Sequence, residues 1–193
     1  MANECTSGTI SCWIVDQVDI LTNIASNLAE VQKLVSGAAY IMGISFAVKA
    51  IFSLKQYGEA RTQMSSGTSI KEPAIYFLVA SMLLYLPSAF KVFMNTTFGY
   101  STVLAYAPIS SNNGSLDVLF GQNSAVGASL AIIIQTIGLI AFIRGWVMIA
   151  RTASSGSQPG GTGKGLMHIF GGILAMNIVG TLQIINNTLY GTT

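Results

Sequence analysis

The chain has 193 residues, of which 51% are hydrophobic and only 8% are charged, and its formal net charge at pH 7 is +2. Soluble domains carry about 25% charged residues, so this composition argues against a soluble enzyme. Together with a mean hydropathy of +0.60, it predicts an integral membrane protein.

The first predicted element is an amphipathic helix over residues 11–33. Its apolar residues recur at alternating spacings of four and three, with acids and amides between them, which is the pattern of a helix with one apolar face. The apolar positions are Ile14, Val18, Leu21, Ala25 and Leu28. Such a face can pack against a partner helix or against the central loop of the same chain, and the sequence leaves both open.

Four windows are long and apolar enough to cross a bilayer, which takes roughly 17–25 helical residues. They cover residues 34–54, 74–90, 126–150 and 166–190. The predicted fold is therefore an all-α integral membrane protein with two tandem transmembrane hairpins (four spans), preceded by the amphipathic helix. Its predicted parts are an outer N-terminal segment (1–33), a first hairpin (34–98), an outer central loop (99–125) and a second hairpin (126–193).

The two predicted hairpins are copies of one unit. Gly43 is followed six residues later by Lys49, and Gly138 is followed six residues later by Arg144. The copies are offset by 95 residues at these glycines and by 92 residues at the Asn-Thr dipeptides near their ends. An internal repeat of this kind predicts one supersecondary unit built twice.

The distribution of basic residues predicts the orientation. Seven Lys or Arg residues lie in the hairpin loops and the adjoining helix ends, and two lie on the opposite side. Because cytoplasmic loops are enriched in Lys and Arg, the hairpin loops are predicted in the cytoplasm and both termini in the periplasm of a bacterial inner membrane. The seven are Lys49, Lys55, Arg61, Lys71, Arg144, Arg151 and Lys164, and the two are Lys33 and Lys91.

The only two cysteines, Cys5 and Cys12, fall on the predicted periplasmic side. A disulfide can persist in that compartment. A disulfide between them and two free thiols are both compatible with the sequence.

Small residues at four-residue spacing mark predicted helix contacts. They are Ala39, Gly43 and Ala47 in the first window, Ala141 and Gly145 in the third, and Gly171 and Ala175 in the fourth. In lipid, close backbone approach and dispersion must hold helices together. The pattern fits contacts within one chain and contacts between subunits of a homo- or hetero-oligomer equally well.

Lys49 and Arg144 lie within predicted spans, where charged side chains are rare. One interpretation is that their long side chains reach the headgroups at the cytoplasmic end. The other is that they line a polar path or contact phospholipid phosphates. The spans contain no paired carboxylates, no metal-ligand spacing around His168 and no complete phosphate-binding loop, so we predict no enzyme, cofactor, metal or direct nucleic-acid binding.

Two segments, Leu54-Lys55-Gln56-Tyr57-Gly58 and Glu72-Pro73-Ala74, together with the chain length and the basic hairpin loops, resemble a known family. They are similar to the small polytopic inner-membrane subunits of type IVB (Dot/Icm) secretion systems, of the IcmC/DotE type. That family is related to membrane subunits of IncI-type conjugation systems. The resemblance implies a virulence-associated component that supports protein transport, with other secretion-system membrane subunits as partners.

Half of the repeat also resembles a conjugative pilin, which has two apolar helices joined by a short basic loop that meets lipid headgroups. The resemblance to secretion-system subunits implies the leading prediction, a structural, channel-associated subunit of a type IVB secretion apparatus. Two alternatives stay open: a pilin-like subunit packing into a lipid-containing tube, and a stand-alone small channel or transporter.

Overall fold

The computed structural model describes residues 10–62, 69–101, 117, 119–121, 124, 126–154 and 160–191. Six helices and no strand are found within these ranges. They are α1 (Ile10–Thr62), α2 (Lys71–Leu84), α3 (Leu86–Phe98), α4 (Gly127–Arg151), α5 (Gly161–Met176) and α6 (Ile178–Tyr190). The prediction of an all-α fold is confirmed.

Helix α1 is much longer than a bilayer is thick. Its 53 residues correspond to about 80 Å at the helical rise, whereas the hydrocarbon core of a membrane is about 30 Å. The predicted amphipathic segment and the predicted first span belong to this one helix, because no proline or turn sequence separates them. In a bilayer, α1 must therefore extend well beyond the hydrocarbon core.

Two helices, α1 and α4, are by themselves long and apolar enough to cross a membrane. The number rises to four if each of two bent helix pairs is counted as one span. The bends between α2 and α3 and between α5 and α6 are both 90°. The windows 74–90 and 166–190, each predicted as a single helix, contain these bends.

Proline chemistry explains the first bend. Pro87 lies in the first turn of α3, where its missing N–H costs nothing but where its ring would clash with a helix continuing from α2. The chain turns at Tyr85, whose backbone N–H still donates to the Ser81 carbonyl at 3.0 Å. The helix resumes at once, since the Ala89 N–H donates to the Tyr85 carbonyl at 2.8 Å.

The second bend has no proline and is stabilised by polar side chains. The Asn177 Oδ1 accepts a hydrogen bond from the Gly180 N–H at 3.3 Å and caps the start of α6. The Thr181 hydroxyl donates to the Leu174 carbonyl at 2.8 Å, a group that the bend would otherwise leave without its helical partner. Asn177 also donates from Nδ2 to the Tyr100 hydroxyl at 2.5 Å.

The two halves of the chain share this layout. The bends at Tyr85 and Asn177 are 92 residues apart, and each is followed by a helix of 13 residues. Gly99 and Gly191 follow these helices with φ values of 78° and 76°, a conformation that glycine adopts without strain. The sequence repeat thus corresponds to a repeated structural unit.

The two units are joined by an aromatic cluster. Phe142 in the middle of α4 is completely buried. Its ring centroid lies 4.4 Å from that of Phe90 and 5.7 Å from that of Phe93, both on α3, and 6.1 Å from that of Trp146. The cluster holds the bent end of the first hairpin against the long helix of the second.

Candidate functional site

In the first hairpin, α1 and α2 approach closely at Gly43. A Cβ added at this glycine would lie 3.1 Å from the backbone nitrogen of Leu84 and 3.2 Å from the Cβ of Leu83. Ala50, seven residues further along α1, and Ala80 on α2 are also buried. Small residues therefore line the contact between α1 and α2.

In the second hairpin, the approach is closer and involves backbone on both sides. A Cβ at Gly138 would lie 2.8 Å from the carbonyl oxygen of Gly172, and a Cβ at Gly145 would lie 2.8 Å from that of Gly165. Glycines 138 and 145, and glycines 165 and 172, are each seven residues apart. This spacing puts a glycine of α4 opposite a glycine of α5 twice along the pair.

The hairpin contacts occupy equivalent positions of the repeat. The offset of 95 relates Gly43 to Gly138 and Ala50 to Gly145, and the offset of 92 relates Ala80 to Gly172. The first hairpin uses alanine at two positions where the second uses glycine. That difference accounts for the closer backbone approach in the second hairpin.

The predicted packing residues do not all lie at contacts. Gly43 and Gly145 lie at close helix contacts within the chain, and Ala39 is completely buried. Ala47, Ala141 and Ala175 are half-buried, and the Ala175 Cβ would lie 3.0 Å from a Cβ at Gly138. Gly171 faces outward, with no atom within 4 Å of an added Cβ.

Gly165 and Gly172 are absent from the predicted set. The prediction relied on four-residue spacing, whereas the contact between α4 and α5 follows a seven-residue spacing. Gly172 is adjacent to the predicted Gly171, and a shift of one residue rotates the side chain position by about 100° around the helix. The recurrence of glycine every seven residues in α4 and α5 was the signal that would have identified Gly165 and Gly172.

Lys49 is exposed and lies over an aromatic ring. Its Nζ is 4.6 Å from the centroid of the Tyr76 ring, a distance at which a cation is attracted to the face of the ring. Tyr76 is 1% exposed and its ring stacks on that of Phe46 at 6.2 Å. The lysine ammonium is thus held beside the contact between α1 and α2.

Arg144 has different surroundings from Lys49. It lines a cleft of about 620 Å³ between α1 and α4, together with Arg151, Leu34 and Met42. Both arginines are exposed, and no ion pair involves either of them among the residues that the structure describes. The cleft does not include Lys49, so the two basic residues matched by the repeat lie at separate sites.

His168 occupies the repeat position of Tyr76. Its Nδ1 lies 2.8 Å from the backbone carbonyl of Lys164, one turn earlier in α5. In the described parts of the chain, no three His, Cys, Asp or Glu side chains are close enough to hold a metal ion. Cys5 lies outside the described residues, so a disulfide with Cys12 and two free thiols both stay predictions.

No protein-family model, no curated protein and no solved structure matches the chain. The case for a function therefore depends on the residues and the geometry described above.

Proposed function

We propose that this chain is a non-enzymatic structural subunit of a bacterial type IVB secretion apparatus, embedded in the inner membrane. The membrane part of the proposal is supported by two to four helices that are apolar and long enough to span. The secretion system is suggested by the sequence resemblance described above. The observation that carries a structural, partner-binding function is the unusual length of α1.

Helix α1 is poorly covered by its own chain. Only 17% of its most apolar window is buried, compared with 50% for α4. Inside the bilayer, lipid can cover such a surface. Outside it, the apolar side chains Ile20 and Ile24, which are 50% and 47% exposed, would face water. A protein partner on this part of α1 would cover them, as expected of a subunit in a larger assembly.

The relative direction of α1 and α4 supports four membrane crossings. Residues 29–40 of α1 face Gln135 and Leu139, and residues 34–42 face residues 140–151, so the two helices run parallel. Two parallel spans of one chain require a return crossing between them. The bent pair α2 and α3 lies between α1 and α4 in the sequence and can make this crossing. We therefore count α2 and α3 as one span and, because the second hairpin repeats the first, we count α5 and α6 in the same way.

This arrangement also supports the proposed orientation. The C-terminal ends of α1 and α4 lie at the same end of the molecule, which is the end that carries most of the basic residues. The positive-inside rule puts this end in the cytoplasm. Helices α2 and α5, of 14 and 16 residues, rise about 21 and 24 Å, which is most of the roughly 30 Å hydrocarbon core. In the proposed orientation, α3 and α6 would therefore lie near the periplasmic surface.

Purification of the C-terminally tagged protein from native membranes in mild detergent tests this proposal. We expect a large particle that contains other membrane subunits. Replacing Ile20 and Ile24 by serine should release those subunits, because it removes the exposed apolar face of α1. Thr22→Ser, at an exposed position of the same helix outside the groove lined by Ile20 and Ile24, is the matched control and should leave the particle intact. A homo-oligomer without other proteins would overturn the proposal.

A pilin-like packing mode is the second candidate, and one observation favours it. Arg144 and Arg151 form no ion pair with any described residue and lie in a largely apolar cleft, where lipid phosphates could neutralise them in a tube of repeated subunits. This candidate predicts that the purified protein forms helical filaments containing phospholipid. Particles with other membrane subunits and no filaments would exclude it.

A further inference from the structure

A second cavity lies on the predicted periplasmic half of the molecule, away from Lys49 and Arg144. It is a half-open cavity of about 880 Å³, lined by α1, α3, α4 and the end of α5. Most of its wall is apolar and includes Phe90, Leu139 and Met176. Its volume is within the roughly 300–1,000 Å³ typical of small-molecule sites.

The side chain of Gln135 lies in the wall of this cavity. Gln135 is only 5% exposed, and no described residue forms a hydrogen bond with its side chain. The neighbouring Thr136 differs, since its hydroxyl donates to the Ile132 carbonyl and accepts from Gln32 Nε2, both at 2.8 Å. Because Gln135 lines the cavity and its amide forms no hydrogen bond with a described residue, the amide is available there as a hydrogen-bond donor.

Two basic residues stand at the rim. Lys33 and Lys91 both line the cavity and are exposed. Lys33 forms an ion pair with Glu30 at 2.8 Å, whereas Lys91 has no acidic partner among the residues described. The rim therefore keeps about one uncompensated positive charge. These are also the only two basic residues assigned to the periplasmic side by the sequence.

We propose that this cavity binds one anionic glycerophospholipid. Its phosphate would lie between Lys33 and Lys91, one ester carbonyl would accept a hydrogen bond from the Gln135 amide, and an acyl chain would fill the apolar part. The exposed lysines at the rim match the charged headgroup, and the buried wall offers one amide beside the apolar side chains. This inference goes beyond the proposed secretion function and requires only that the protein contacts a membrane.

Native mass spectrometry of the full chain tests the proposal. The protein is reconstituted in nanodiscs of phosphatidylglycerol and phosphatidylethanolamine, extracted in mild detergent and examined for retained lipid. We expect one phosphatidylglycerol per chain that is lost from Gln135→Leu and from Lys91→Gln, with occupancy about tenfold lower because each variant removes one hydrogen bond or charge contact. Lys91 is exposed, so its replacement does not disturb the core.

Matched controls separate this site from others. Gln183→Leu on α6 and Lys164→Gln on α5 change exposed residues of the same types outside the cavity and should retain the lipid. All four variants should retain a lipid bound in the Arg144 cleft. The measured quantity is therefore the loss of one lipid molecule per chain. Equal retention in wild type, Gln135→Leu and Lys91→Gln would overturn the proposal. Preferential retention of the zwitterionic phosphatidylethanolamine, or of detergent alone, would also overturn it.

Discussion

At the residue scale, the second hairpin depends on glycines that bring two backbones together. A Cβ added at Gly145 would lie 2.8 Å from the carbonyl oxygen of Gly165 and 2.9 Å from the backbone nitrogen of Ile169. Backbone atoms cannot rotate away as a side chain end can. Gly171 has the same residue type in the same hairpin but open space around it.

These two glycines give a matched pair of substitutions. Gly145→Ala should destabilise the protein by about 1–3 kcal/mol because the methyl group forces α4 and α5 apart. Gly171→Ala should be neutral or slightly stabilising, since alanine has the higher helix propensity. Thermal unfolding in detergent measures both. Equal melting temperatures for the two variants would show that the close backbone contact is not needed for stability.

At the element scale, the two bends have different chemical causes and should respond to different substitutions. Asn177→Ala removes the cap of α6 and the contact with Tyr100, and we expect a loss of about 0.5–2 kcal/mol. Asn187→Ala, on the exposed face of the same helix, is the control and should have little effect.

A double-mutant cycle isolates the interaction across the bend. Tyr100→Phe removes only the hydroxyl that accepts from Asn177 Nδ2. If the two side chains interact as described, the combined loss should be smaller than the sum of the single losses by about 0.5 kcal/mol or more. Strictly additive unfolding free energies would contradict a direct interaction between them.

The helices were predictable to different degrees for physical reasons. The apolar windows and the repeat locate α4 and the order of the hairpins, because a bilayer demands long apolar runs. Pro87 gives a local signal for the first bend, but Asn177 lies in an apolar run and acquires its capping function only through Gly180 and Tyr100. Hydropathy did not predict that α1 is continuous. The amphipathic segment and the apolar span differ in hydropathy, yet they form one uninterrupted helix.

The residues at the helix contacts were also only partly predictable from the sequence. Small residues were predicted at helix contacts, but their partners depend on which face each helix turns to its neighbour. The glycine spacing on one helix does not reveal the register of the helix opposite, so Gly171 was selected and Gly172 was not. Likewise, Lys49 and Arg144 match in the repeat, yet their surroundings differ because α1 packs against both α2 and α4.

At the scale of the whole molecule, the parallel direction of α1 and α4 decides how the chain is arranged in a membrane. If both helices span, the chain must return between them, and Ser69 and Ser101 should lie on opposite sides. Ser69 precedes α2 and Ser101 follows α3, and both are exposed. In the proposed orientation, the basic residues near the ends of α1 and α4 predict Ser69 in the cytoplasm and Ser101 in the periplasm.

Cysteine accessibility in intact cells is the most direct test of this arrangement. In a background with Cys5→Ser and Cys12→Ser, Ser101→Cys should react with a membrane-impermeant maleimide before lysis. Ser69→Cys should react only after lysis. Labelling of both positions from the same side would contradict a crossing between α1 and α4, and the reversed pattern would contradict the proposed orientation.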